Sequence, residues 1–84
     1  MPAKSASAVA FGRALKDIRM ARGLSQEEAG FRAGVGRRFF GEVERGESNP
    51  TFATILKISR GLEVSAADIV GRAEAHLHGG RTDA

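Results

Sequence analysis

Arg37 and Arg38 stand side by side immediately after a Gly34-Val35-Gly36 corner. Each carries a planar guanidinium with five N–H donors in a fixed fork. That fork fits guanine O6 and N7 in the major groove, where one bidentate contact discriminates by about 1–3 kcal/mol. Neighbours on a helix diverge by about 100°, so one arginine is expected to read a base and the other to hold a phosphate. The blander alternative makes both of them phosphate clamps. Glu42, four residues after Arg38, can accept from cytosine N4 or pair with Arg38 one turn away and orient it; the pair is preferred. Gly41 is expected to leave that face open for close approach. Phe39 can touch a thymine methyl or pack against the preceding helix, and Phe39 and Phe40 cannot both point equally inward.

Other chemistries lack the residues they need. Cysteine is absent, which removes disulfides and thiolate metal sites. His76 and His78 are two positions apart and do not share a helix face, so neither a metal nor a cofactor is expected. Ser25, Ser48 and Ser65 have turn or capping explanations and no histidine in a readable arrangement, so the chain is not expected to be an enzyme. The 84 residues suffice for one domain, with a formal charge of +3 and a pI near 10.2. A mild basic excess fits a nucleic-acid binder without deciding the matter. Trp and Tyr are missing and Phe numbers 5, which argues against stacking platforms for single strands. No apolar run approaches the ~20 residues of a membrane span, and Met1 to Val9 lacks the apolar centre of a signal peptide. A cytoplasmic protein with no membrane partner is expected.

The elements that must position the arginines read almost entirely as helix, and nothing alternates with period two for long enough to make a strand. Phe11, Leu15 and Ile18 form one stripe on a helix from Ala8 to Arg22, stopped by Gly23. Ser25-Gln26-Glu27-Glu28 is a capping box that opens a second helix, running to about Ala33. A third runs from Arg37 to about Arg45 and ends at Gly46. Asn49-Pro50 breaks the chain, and Thr51 caps a fourth helix with Phe52, Ile55, Leu56, Ser59 and Leu62 on one side. Ser65-Ala66-Ala67-Asp68 opens a fifth, over 66–78. Residues 1–7 are expected to be a flexible leader, 8–78 the domain and 79–84 a flexible tail.

Two short helices around a tight glycine turn make a helix-turn-helix. The run Phe11-Gly12-Arg13-Ala14-Leu15-Lys16-Asp17-Ile18-Arg19, then Ser25-Gln26-Glu27-Glu28, Ala33-Gly34-Val35, Glu44-Arg45-Gly46, Asn49-Pro50 and Leu62-Glu63-Val64-Ser65 resembles the Cro/lambda-repressor-like (XRE-type) family. That resemblance covers about residues 9–70. It implies an all-α, five-helix lambda-repressor-like domain with its helix-turn-helix at about 25–45. It also implies sequence-specific binding of double-stranded DNA by a transcriptional regulator, in this reading a repressor acting as a homodimer on an inverted repeat. The implied DNA-binding residues are Gln26, Gly36, Arg37, Arg38, Phe39, Gly41, Glu42, Arg45 and Asn49, with Gln26 on the DNA backbone and bracing the recognition helix. Arg19 and Glu44 are implied to form a structural ion pair across helices one and three. Two alternatives stand beside this: an antitoxin or interaction module whose partner is a toxin, and a retained fold that has lost DNA binding.

Charge does not decide between them. Within 25–45, Arg32, Arg37, Arg38 and Arg45 are balanced by Glu27, Glu28, Glu42 and Glu44, so affinity depends on how charges sort by face, helped by Arg13, Lys16 and Arg22. Three positions depart from the family pattern: Ala29 for a larger Leu, Gly30 for Ala, and Gly36 for a polar cap. Phe31 or Phe40 is expected to fill the volume missing at Ala29. Gly12, Gly30, Gly41, Gly61 and Gly71 all fall inside helices, a load of about 4–5 kcal/mol relative to Ala. Either they permit close helix contacts or a partner supports the monomer. Ile69, Val70, Ala73 and Leu77, with Ala66, suggest a dimer contact on helix five, although Ile69 is expected to fold back on its own core. The resulting two-fold dimer, through helices four and five, sets recognition helices about one DNA turn apart.

Overall fold

The computed structural model of the protein describes residues 4–78. Five helices follow one another: α1 (Ala6–Ala21), α2 (Gln26–Ala33), α3 (Arg37–Glu44), α4 (Phe52–Leu62) and α5 (Ala66–Leu77). No strand occurs among the described residues. The expected tail at 79–84 and the first three residues of the expected leader lie outside them. The rest of the leader is corrected: Ser5 Oγ accepts from the Ala8 amide at 3.1 Å, so α1 begins at Ala6 rather than Ala8.

Side-chain caps also set the starts of α2, α4 and α5. At α2 the Glu28 amide donates to Ser25 Oγ at 3.0 Å and the Ser25 amide donates to Glu28 Oε1 at 2.9 Å, the reciprocal pair of a capping box. The Ser25 backbone amide, followed by the Ser25 hydroxyl, holds the Glu28 carboxyl below its ordinary range. Thr51 and Ser65 accept in the same way from the Thr54 and Asp68 amides. The polar cap is missing at α3, where Gly36 stands with φ 82° and ψ 157°, a conformation that side chains rarely adopt. This explains the departure at that position: the corner needs glycine geometry more than a capping hydroxyl.

Leu15, Phe40, Val43, Ile58, Leu62 and Ile69 are the largest wholly buried side chains. α5 packs on α1, α2 packs on α3 and α4, and α1 also packs on α3. Phe40 and Ala29 are wholly buried in the same core cluster, whereas Phe31 is 84% exposed and fills nothing there. Residues two apart on a helix face opposite sides, and α2 turns Ala29, Gly30 and Ala33 inward. The apolar face of α4 is also rotated from the expected one: Phe52 is 71% exposed, and Ile58, with Ser59 and Leu62, takes the core position. Ile69 is fully buried in its own monomer and Ala73 packs against the same cluster, so Ile69 is removed from the dimer candidates.

The interior glycines divide by what surrounds them. A Cβ on Gly12 would run into the Val43 and Glu44 carbonyls of α3. One on Gly30 would sit 2.5 Å from the Gly36 carbonyl oxygen, and one on Gly61 would sit 2.6 Å from the Ala33 amide nitrogen. These three let backbone touch backbone, and they account for Gly30 standing where Ala is usual. Gly71 meets nothing within 4 Å. Gly30→Ala and Gly61→Ala are therefore expected to lower unfolding stability by ~1–3 kcal/mol or more. Gly71→Ala should raise it by ~0.8–1 kcal/mol. Urea midpoints at one protein concentration measure all three; equal effects at Gly61 and Gly71 would contradict the packing described.

Candidate nucleic-acid interface

The α2–α3 corner is closed by backbone hydrogen bonds from the Val35 and Gly36 amides to the Gly30 carbonyl, at 3.0 and 3.2 Å. It delivers Arg37 and Arg38 to the first turn of α3 with both side chains in solvent. Arg37 has no ion-pair partner among the described residues. The Arg38 side chain is 93% exposed, and its Nε lies 3.4 Å from Glu42 Oε2. That i,i+4 contact is the preferred one of the two roles read for Glu42, at the long edge of hydrogen bonding.

The opposite end of α3 is locked. Arg19 Nε donates to Glu44 Oε2 at 2.5 Å and Arg19 Nη2 to Oε1 at 3.2 Å, while Nη1 donates to the Leu24 carbonyl at 2.8 Å. The two side chains are 12% and 3% exposed. Gln26 completes the arrangement, donating through Nε2 to Glu44 Oε1 at 2.8 Å. The Gln26 side-chain amide is therefore committed to Glu44 rather than turned outward. As the first residue of α2, Gln26 lies where backbone amides lack intrahelical partners and favour a phosphate.

Arg45, the C-cap of α3, is held by Glu47: Nε to Oε2 at 3.0 Å and Nη2 to Oε1 at 3.2 Å. That hydrogen-bonded pair raises the Arg45 pKa and lowers the Glu47 carboxyl below its ordinary range. Gly41 is not the open window expected of it. It is buried, because the space beside it is taken by Arg45 Nη1, 3.0 Å from where a Cβ would be, and by Gln26 Oε1 at 3.5 Å. Phe39 is half-buried and packs against the core, in line with the packing alternative. Asn49 is exposed in the loop between α3 and α4. Of the flanking cations, Arg22 is occupied in capping α4, donating to the Glu63 carbonyl at 2.9 Å, while Arg13 and Lys16 are exposed on α1.

Sequence reasoning missed Glu47. The available signal was a pair of opposite charges flanking the Gly46 stop, which a turn with positive φ folds together (Gly46 φ 75°). His76 Nε2 lies 2.6 Å from Asp17 Oδ2, tying α5 to α1. Among the described residues no His, Asp or Glu group is arranged to hold a metal ion, and no helix is long and apolar enough to cross a membrane.

The helix-turn-helix family model matches residues 15–69, most of the elements just described. The chain belongs to the helix-turn-helix family. Among its relatives this family member is 44% identical over 50 residues to the HTH-type transcriptional regulator SutR of Escherichia coli (strain K12), covering 60% of this chain and 28% of SutR. The chain thus spans little more than a quarter of that relative. It is 30% identical over 67 residues to the cryptic phage CTXphi transcriptional repressor RstR of Vibrio cholerae, covering 80% of this chain and 60% of that one. Among solved structures it is similar to the restriction-modification controller protein C.AhdI of Aeromonas hydrophila, with a TM-score of 0.75 and 38% identity, covering 77% of this chain and 98% of that one. The XRE-type resemblance and the five-helix, all-α fold read from the sequence agree with these findings.

The Arg19–Glu44 lock has a direct test. Glu44→Ala leaves a guanidinium largely buried without its counter-charge and is expected to cost ~3–5 kcal/mol of stability. Gln26→Ala should cost less, about 1.5–3 kcal/mol for one hydrogen bond to a charged group. Urea unfolding of both variants decides; equal losses would put the anchoring of α3 elsewhere.

Proposed function

We propose that this chain is a transcriptional repressor that binds a specific double-stranded DNA operator as a homodimer, with α3 in the major groove. One observation carries the proposal: two solvent-facing arginines occupy the first turn of a helix whose far end is locked to α1 and α2 through Glu44. A rigid helix with mobile cationic forks at its entry end is what base-edge readout requires. Arg38, steadied by Glu42, is assigned the guanine; Arg37 is assigned a phosphate. Gln26 at the α2 N-terminus, Gly36 at the corner, Phe39 along α3, Arg45 at its end and Asn49 beyond complete the proposed surface. Relatives whose names describe transcriptional regulation and repression support the reading.

A second copy is assigned to α5. Val70 and Leu77 are exposed and border an apolar hollow of about 220 Å³ with Ala10, Phe11 and Ala73. A self-complementary contact there pairs like patches across a two-fold axis. The toxin-holding alternative gains nothing from the relatives named above and is set aside.

Selection from a random duplex pool at stated salt should enrich an inverted repeat with half-site centres about 10 bp apart; no enrichment would overturn sequence-specific binding. Arg38→Ala should cost ~1–3 kcal/mol and relax preference at one position, whereas Arg37→Ala should weaken all sequences alike and flatten the salt slope by about 1. If neither variant loses affinity while folding normally, the DNA-reading role fails. For the dimer, Leu77→Asp is expected to give a monomer in sedimentation and to weaken operator binding. A wild-type melting temperature unaffected by protein concentration would contradict the assembly.

A further inference from the structure

Glu47 has no part in the reading surface proposed so far, yet it governs the posture of Arg45. We infer that Glu47 is a specificity-determining residue: it grips Arg45 by one edge, leaves Nη1 to project across the Cβ-less Gly41, and cancels the charge through which Arg45 would bind any duplex. This role rests on the DNA-reading assignment of α3 and refines it.

The grip is side-on. Nε and Nη2 both point to the Glu47 carboxylate, at 3.0 and 3.2 Å. A guanidinium has five N–H donors, so this pairing leaves both donors of Nη1 uncommitted. Nη1 lies 3.0 Å from the position a Gly41 Cβ would occupy. Arg37, Gly41 and Arg45 recur at intervals of four, which places them along one side of α3. Gln26 Oε1, 3.5 Å from the same Gly41 position, borders that side. The gap at Gly41 is thus filled by an arginine aimed along the recognition helix.

The backbone holds both partners in place. The Arg45 amide donates to the Gly41 carbonyl at 3.0 Å, and the Glu47 amide donates to the Glu42 carbonyl at 2.9 Å, around Gly46 at φ 75°. Glu47 is therefore tied back to the helix that Arg45 caps. An ion pair this exposed, 52% and 41% by side chain, contributes little to folding. Its consequence falls on binding instead. An unpaired arginine near DNA releases counterions whatever the sequence; one neutralised along one edge retains a directed donor while losing most of that indiscriminate attraction. The lowered Glu47 carboxyl pKa keeps its charge in place under ordinary conditions.

The test compares wild type, Glu47→Gln and Glu47→Asp on the selected operator and on a random-sequence duplex across a salt series. Glu47→Gln frees Arg45: affinity for the random duplex should rise, its salt slope should steepen by about 0.9, and the operator-to-random ratio should fall by roughly fivefold. Glu47→Asp keeps the charge but shortens the reach, so the slope should remain near wild type while the ratio still falls. A ratio unchanged in Glu47→Gln overturns the inference, as does an equal loss on both duplexes, which marks a folding support. A Glu47→Asp variant identical to wild type leaves charge alone and overturns the grip. Urea midpoints of both variants confirm that the fold is intact. Wild-type protein without operator preference would sink the DNA-reading assignment itself, a result read on the unaltered chain.

Discussion

The bond network around Glu44 ties three helices to one carboxylate, and the presentation of α3 depends on it. Arg19 reaches from α1 with two donors, Gln26 reaches from the start of α2 with a third, and Arg19 uses its remaining arm on the Leu24 carbonyl between those helices. Burying a carboxylate and a guanidinium is costly unless their lone pairs and protons find partners. Here the hydrogen bonds supply them, and no buried side-chain polar atom is left without a partner among the described residues. The need is plain from the length of α3. A helix of 8 residues is too short to persist alone in water, so it must be held from outside at several points. Glu44 holds the C-terminal end, Phe40 and Val43 sink the middle into the core, and the glycine corner presses the N-terminal end against α2.

That corner shows why helices so rich in glycine pack as they do. Gly12, Gly30 and Gly61 each weaken their own helix, and each lies where a neighbouring backbone approaches too closely for a side chain. The loss of local propensity is offset by contacts between backbones and by the core that those contacts allow to close. The three sites couple α1 to α3, α2 to the corner, and α2 to α4, so the whole helix-turn-helix is a backbone-packed unit. Gly71 is the exception, exposed on α5 with open space around it.

Charge balance along the helix-turn-helix becomes informative only after sorting by place. Glu44 faces inward to Arg19, Glu28 is taken up by the α2 cap, and Glu42 and Glu47 lie against Arg38 and Arg45. Four acidic groups in this region thus act on arginines or amides of the same molecule, while Glu27 stays exposed in the first turn of α2. What faces solvent at the entry of α3 is cationic. A segment neutral in sum can therefore present a directed positive edge, which is the physical content of an electrostatic footprint.

Much of this was legible in the amino-acid order because the deciding interactions were local. Capping boxes, glycine stops and apolar spacing act within one turn, and so the five helices, the corner and the outward pair Arg37–Arg38 could be read without coordinates. The Arg19–Glu44 pair was legible too, though only through resemblance, since nothing in a separation of 25 residues announces contact. Tertiary structure decided the rest. Which face of α4 turns inward, that Phe40 and not Phe31 joins Ala29 in the core, that Ile69 belongs to the core, and that Gly41 is roofed by Arg45 all depend on where a neighbouring element lies. Periodicity gives the stripe on a helix, but the approach of another backbone chooses which edge of that stripe is buried. Side chains as long as arginine then take the direction their partners allow.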